Sequence, residues 1–218
     1  MPELPAPLPP EQRTVGQVIA ESVRAYGANF WRALPLGVPL LVADQVSAGH
    51  KHAAVQLLVL WAATPLFAAA YVWACAIMLD ARPTMTAYAL AVLIWLPFVI
   101  LRAVYILPGV AWLAFIGLAV PAAMVENIGF RAALRRGRAL GRADYAHALG
   151  SLAALVVVVV VSETVLSALL HSQSGNAYRV ALGISDIVLT PLLFLGGALL
   201  YRDQAARVGS PRPTRRSR

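Results

Sequence analysis

The stretch Ala148-Leu-Gly-Ser-Leu-Ala-Ala-Leu155-Val156-Val-Val-Val-Val-Val161-Ser-Glu163-Thr-Val-Leu-Ser-Ala-Leu-Leu170-His171 decides the fold. Crossing about 30 Å of hydrocarbon takes roughly 20 mostly apolar residues. Residues 148–171 supply that length with Glu163 as the one acidic or basic side chain apart from the terminal histidine. The six valines from Val156 to Val161 favour a strand in water, but in lipid a helix is acceptable because it satisfies its own backbone. Five further stretches read the same way, near 31–49, 53–79, 84–102, 104–125 and 179–201. The first carries Pro35, Pro39 and Asp44. The third and fourth are separated only by Arg102 and its neighbours, which predicts a tight helical hairpin. The fold class expected is an all-α polytopic membrane bundle of about six spans.

Composition agrees. The 218 residues are 60% hydrophobic and 13% charged, with a mean hydropathy of +0.70, whereas a soluble domain is about 45–50% apolar and about 25% charged. The excess apolar surface must face lipid. The lone Cys75 excludes an internal disulfide and any multi-cysteine metal site; within Tyr71-Val-Trp-Ala-Cys-Ala-Ile77 it reads as a small buried hydrophobe. Net charge is +8. Most of that charge lies beside apolar spans, where it meets anionic lipid, so nucleic acid is not an expected partner.

The arginines give an orientation. Of 18 Lys and Arg residues, all but Lys51, Arg102 and Arg179 fall on one side if the amino terminus is cytoplasmic. Cytoplasmic loops carry the excess of Lys and Arg, so both ends are expected in the cytoplasm of a multi-pass inner-membrane protein. Residues 1–12 form a proline-rich tail without the basic and apolar regions of a signal peptide. Residues 13–207 form a single membrane domain, and 208–218 a basic tail; both tails read as disordered.

Two helices flank the spans at helical spacing. Near 13–28, Val15, Val18, Ile19, Ser22, Val23 and Tyr26 share one face, opposite Gln17, Glu21 and Arg24. Near 128–143, Phe130, Ala133, Leu134, Gly137, Leu140 and Gly141 share one face. Arg131, Arg135, Arg138 and Arg142 line another, and Arg136 falls off that stripe. A basic amphipathic helix tied to spans at both ends is expected in the headgroup plane. Glu126, just before it, is placed to cap it or to pair with Arg202 or Arg131.

The segment Val125-Glu126 through Ala133-Leu-Arg-Arg136-Gly137-Arg138-Ala-Leu140 resembles a glutamate followed by "ALRRSxxL" in a bacterial membrane-protein family. That family is the membrane domain fused to some glycerophosphoryl diester phosphodiesterases. Val15-Gly16 through Tyr26-Gly-Ala-Asn29-Phe30-Trp31 is similar to its amino-terminal interfacial helix and "YxxNF" segment. Leu200-Tyr201-Arg202-Asp203 is similar to its "lYxD" exit from the last span. Gly137 stands where the pattern has Ser, and the basic residue after Asp203 is displaced to Arg207. The resemblance spans about residues 13–207. It implies a six-span bundle with interfacial helices and no established activity for the membrane part. The diesterase is a separate barrel of roughly 250 residues that does not fit within this chain.

Charged side chains within spans cost about 2.5–3.5 kcal/mol on insertion scales, so each asks for a partner or a purpose. Asp44, Glu163 and Asp186 qualify, the last two at similar depth by their distance from the span ends. They and Arg102 are the candidates for a polar cavity that takes a cation, a proton or a polar headgroup. The plainer reading satisfies each acid with a neighbour such as Ser162, Thr164, Ser185, Gln45 or an arginine. His50, His52 and His171 lie on the side of Asp44, but a His-x-His pair at a helix end points its rings apart, and no metal site is expected. Pro65, Pro97, Pro108 and Pro191 are expected to kink or break their spans. Gly196-Gly197 and Ala68-Ala-Ala70 read as close-packing surfaces.

No phosphate loop, nucleophile motif, HExxH or cofactor fingerprint appears, so neither catalysis nor a cofactor is expected. The arginine stripe Arg131, Arg135, Arg138 and Arg142 is the candidate for lipid-headgroup binding, with anionic lipids, a protein partner or a second copy as the partners. The expected function is a non-enzymatic membrane protein that organises lipids or partners. A small-solute or ion transporter or channel using the intramembrane acids is the alternative, and a membrane-embedded lipid-acting enzyme the second alternative.

Overall fold

The computed structural model describes residues 9–48, 50, 52–104, 106–170 and 175–209. Lys51 and His171 lie outside them, as do the ends of both tails and the side chain of Arg102. Among the described residues all regular structure is helical. Helix α1 (Val15–Ala28) starts at a capping box, in which the Thr14 hydroxyl accepts from the Gln17 amide and the Gln17 side chain accepts from the Thr14 amide. It is followed by α2 (Phe30–Ala33), a 3-10 turn over Leu34–Gly37 and α3 (Val38–Ser47). Then come α4 (Ala53–Ala62), α5 (Thr64–Leu79), α6 (Met85–Val104), α7 (Ile106–Ile116), α8 (Ala119–Val125), α9 (Phe130–Ala143), α10 (Tyr145–Leu170) and α11 (Gly175–Gly209).

Three helical stretches are long and apolar enough to cross a membrane: Ile106–Val125, Tyr145–Leu170 and Ala177–Gly209. A fourth arises if α4 and α5, which meet at 47°, form one bent span. Pro65 sits at the second position of α5, where its missing N–H costs nothing to that helix but ends the continuity with α4. Pro97 and Pro191 lie inside α6 and α11 without ending them. The apolar part of α6, Met85–Leu101, is shorter than these stretches. The stretch 31–49 is divided by the Leu34–Gly37 turn rather than continuous.

Helix α11 runs through the centre, packed against α10, α5, α1, α3 and the Leu34–Gly37 turn. The valine run is helical, and Val157, Val158, Val160 and Val161 face outward while Val159 is buried. Opposite it, Trp95 anchors an aromatic cluster with ring centroids at 5.4 Å to Phe67, 4.8 Å to Phe98 and 5.6 Å to Phe194. Two polar tips in this interior are met by backbone carbonyls: Tyr71 Oη donates to the Gly117 oxygen at 3.3 Å and Trp112 Nε1 to the Ile94 oxygen at 2.9 Å. Cys75 is buried.

Asn127, at a φ of 49°, turns the chain from α8 into α9, a left-handed conformation that asparagine tolerates better than most residues. Helix α9 then lies so close to α8 that a Cβ on Gly137 would come within 2.6 Å of the Ala119 amide nitrogen. Backbone cannot yield to that contact as a flexible side chain would. Gly137→Leu is therefore expected to destabilise the protein by about 1–3 kcal/mol through overpacking. Gly27, which has open space around its Cα, is the comparison: Gly27→Ala is expected to be neutral or to stabilise by up to about 1 kcal/mol. Thermal unfolding of both variants in one detergent measures the difference.

Candidate functional site

Charge is sorted to the two ends of the bundle. At one end, Arg13 donates to Asp203 at 2.9 Å, and the side chain of Asp203 has no exposure. Arg207 donates to the Arg13 carbonyl at 2.9 Å and pairs with Asp144. Asp144 in turn caps α10 by accepting from the His147 amide at 3.1 Å, and its carbonyl accepts from Gln204 at 3.2 Å. Each partner comes from a different part of the chain, so the residue before α1, the α9–α10 junction and the end of α11 are tied together.

Beside this cluster, Glu126 accepts from Arg136 Nε at 2.7 Å and from Tyr201 Oη at 3.0 Å. The sequence offered Arg202 or Arg131 as its partner, or a cap on α9. The structure corrects that: α11 presents Tyr201 to Glu126 while Arg202 points out and is exposed. Arg136 is the arginine that falls off the stripe, and its departure aims it at Glu126.

The other four arginines of α9 (Arg131, Arg135, Arg138 and Arg142) are all exposed, whereas Ala133, Gly137, Leu140 and Gly141 are buried. Phe130, which shares a face with these buried four by its spacing, is exposed. Arg131, Leu134, Arg135 and Arg138 surround a shallow cleft, and the Arg142 guanidinium lies 5.4 Å from the centre of the Phe115 ring.

At the opposite end the three acids converge. Asp186 is 4% exposed, and both Asp44 and Glu163 lie within electrostatic reach of its carboxylate. Asp186 Oδ2 is buried without a hydrogen-bond partner, as is the hydroxyl of Ser185. Several of the neighbours expected to serve the acids make other contacts. Ser162 donates to the Val158 carbonyl at 2.8 Å and Thr164 to the Val160 carbonyl at 2.7 Å. Gln45 donates to the Arg179 carbonyl at 3.2 Å, and the Arg179 guanidinium donates back to the Gln45 side-chain oxygen at 3.2 Å. This clasp between α3 and α11 and the Ser167–Tyr178 hydroxyl contact of 2.8 Å between α10 and α11 are the contacts sequence reasoning missed. Only the polarity of these residues near span ends signalled them. Gly37 lets the Leu34–Gly37 turn approach the backbone of α11 at Asp186 and Ile187, where any Cβ would collide, and so brings the Asp44 segment beside Asp186.

His50 and His52 are exposed. Among the described residues no group of three or more His, Cys, Asp or Glu side chains is disposed to hold a metal ion. The chain matches no family model, no curated protein and no solved structure.

The Asp203 cluster makes a quantitative prediction. Arg13→Ala leaves a buried carboxylate short of its closest cation and is expected to cost up to about 3–5 kcal/mol. The exposed Arg24–Glu21 pair is the contrast, with Arg24→Ala within about 0.5 kcal/mol of the parent. Asp203→Asn combined with Arg13→Ala is expected to recover part of the loss, because no unpaired charge stays buried. Equal unfolding midpoints for Arg13→Ala and Arg24→Ala would contradict this account.

Proposed function

We propose that the chain is a six-span protein of the bacterial cytoplasmic membrane, with both ends in the cytoplasm, that acts without catalysis by gathering anionic lipid headgroups on α9. The observation that carries this reading is the division of α9 into a buried face of small residues and an exposed face of four arginines. A helix held down at Gly137 and Gly141 cannot roll its arginines inward. Guanidinium groups fork phosphate oxygens, and each contributes about 1 kcal/mol near an anionic surface. With Arg136 held by Glu126, the outward four form one patch.

In this reading residues 30–47 are a broken first span, α4 with α5 the second, α6 the third, α7 with α8 the fourth, α10 the fifth and α11 the sixth. The Arg207–Arg13 contact supports an even number of crossings, because it joins the beginning and the end of the membrane domain. Trp31, 82% exposed beside Arg32, fits the aromatic belt at that surface. The likeness to the membrane domain of the diester phosphodiesterase family belongs to the same proposal.

A second reading, transport of a small solute or an ion, is favoured by the meeting of Asp44, Glu163 and Asp186. Flux in proteoliposomes that is lost in Asp186→Asn would put this reading first.

The lipid reading is tested by retention of phosphatidylglycerol against phosphatidylcholine on the purified protein, measured by native mass spectrometry. Replacing Arg131, Arg135, Arg138 and Arg142 together by Gln is expected to weaken phosphatidylglycerol retention by up to about a thousandfold, as loss of about 1 kcal/mol per arginine implies. Phosphatidylcholine retention is expected to stay unchanged. Unaltered preference in the fourfold variant would end the reading. Reporters fused to the two ends are expected to report the cytoplasm at both.

A further inference from the structure

Between α5, α6, α7, α10 and α11 lies a cavity of about 170 Å³ with walls that include Phe67, Tyr71, Trp95, Leu118, Leu152 and Phe194. Trp95 is the centre of its aromatic side, with the Tyr71 ring at 6.4 Å in addition to those of Phe67, Phe98 and Phe194. Two lining residues, Thr190 and Trp95, keep unused hydrogen-bonding capacity: the Thr190 hydroxyl and Trp95 Nε1 are buried without a partner in the protein. Thr190 lies one helical turn from Phe194, whose ring is 5.6 Å from that of Trp95, so both groups belong to the same part of the lining. The rim includes Val160 and Ile106, whose side chains are exposed, so the cavity opens sideways, toward the lipid in a membrane.

We infer that this cavity binds one neutral, single-ring molecule of the phenol class, the ring against Trp95 and its hydroxyl at Thr190. Size, shape and polarity each narrow the occupant. An apolar cavity of about 150 Å³ holds one benzene ring, so about 170 Å³ holds one ring with a small substituent. A second ring exceeds that room. So does a lipid tail, which runs through about half of a hydrocarbon layer of about 30 Å. Aromatic rings attract one another, offset or edge-on, at centroid separations of about 4.5–7 Å. The rings around Trp95 already stand 4.8–6.4 Å from it, so a ligand ring extends a pattern fixed in advance.

Polarity sets the substituent. An indole N–H only donates, and a threonine hydroxyl donates and accepts. A ligand hydroxyl complements both kinds of group, and a buried polar group that gains a partner recovers what it lost on leaving water. A bare hydrocarbon ring leaves Trp95 and Thr190 as they were. A charged ligand would surrender its hydration to walls that are almost wholly apolar. Glu163, the one charged residue among the described lining residues, is itself engaged within the protein, and a neutral occupant makes no call on it. The arginine face of α9 is not involved.

The test uses the full chain in phosphatidylcholine nanodiscs at neutral pH, with 4-fluorophenol as the probe and fluorine NMR as the readout. Fluorobenzene, which lacks the hydroxyl, and a fluorinated hydroxybiphenyl, which adds a second ring, are the comparators. Binding is counted as the saturable excess over empty nanodiscs at matched concentration in the bilayer. 4-Fluorophenol is expected to saturate at one per protein and to bind at least about tenfold tighter than fluorobenzene. The biphenyl is expected to show no saturable binding. Thr190→Val keeps the side-chain shape, removes a hydroxyl that has no partner in the protein, and is expected to bring 4-fluorophenol within about threefold of fluorobenzene. Gly197→Leu, which places a side chain into the lining, is expected to abolish saturable binding of both single-ring probes; if its unfolding midpoint falls, Val156→Phe takes its place. Absence of saturable 4-fluorophenol binding, or its survival in the folded filling variant, overturns the site. Saturable binding of the biphenyl overturns the size assignment. Equal binding of the two single-ring probes, or an unchanged preference in Thr190→Val, overturns the placement of the hydroxyl.

Discussion

Asp203 lies near the end of the longest helix with no exposure of its side chain, and a carboxylate there is stable only beside cations and donors. Arg13 meets it from the segment before α1, and Arg207, one turn further along α11, holds the Arg13 carbonyl and Asp144. Because the partners come from distant parts of the sequence, satisfying one charge closes the membrane domain on itself. Helix α9 then has little freedom. Its leading flank is fixed where Glu126 receives Arg136 and Tyr201, and its trailing flank where Asp144 receives Arg207. Two ion pairs and two glycine contacts determine which side of α9 faces out, and the arginine patch is the consequence.

Several residues of the proposed family likeness are the ones that make these contacts. Glu126, Arg136, Tyr201 and Asp203 converge at one end, and Asn29 closes α1 by donating from its side chain to the Ala25 carbonyl at 3.0 Å. Short polar motifs at span ends are thus explained as joints of the structure, whatever else they do. Gly137 is explained in the same way: even a Cβ there would meet the backbone of α8.

What was legible in the sequence was local. The arginine stripe and the small-residue face of α9 follow from spacing along one helix, and the valine run was readable as a helix because lipid leaves the backbone no better choice. Partner choice was not legible. Glu126 has arginines on both sides in sequence, and only the rotation of α11, which turns Tyr201 inward and Arg202 outward, decides that Arg136 receives it. The 31–49 stretch carried its own warning in Pro35 and Pro39, yet the 3-10 turn also depends on Gly37 fitting against α11. A similar depth for Glu163 and Asp186 is an expectation from residue counts along two helices. Their proximity, and the arrival of Asp44 beside Asp186, required that fit.

The cavity has the same kind of origin. Valine is short and stiff at χ1, so a helix face built from Val156, Val159 and Val160 cannot extend to follow the surface opposite it. That surface is made of planar rings stacked around Trp95, held in place by one another and by the Tyr71–Gly117 and Trp112–Ile94 hydrogen bonds. Leucine or methionine on α10 could have reached across and closed the gap. With valine on one side and fixed rings on the other, neither wall adapts, and the unfilled contacts along both remain.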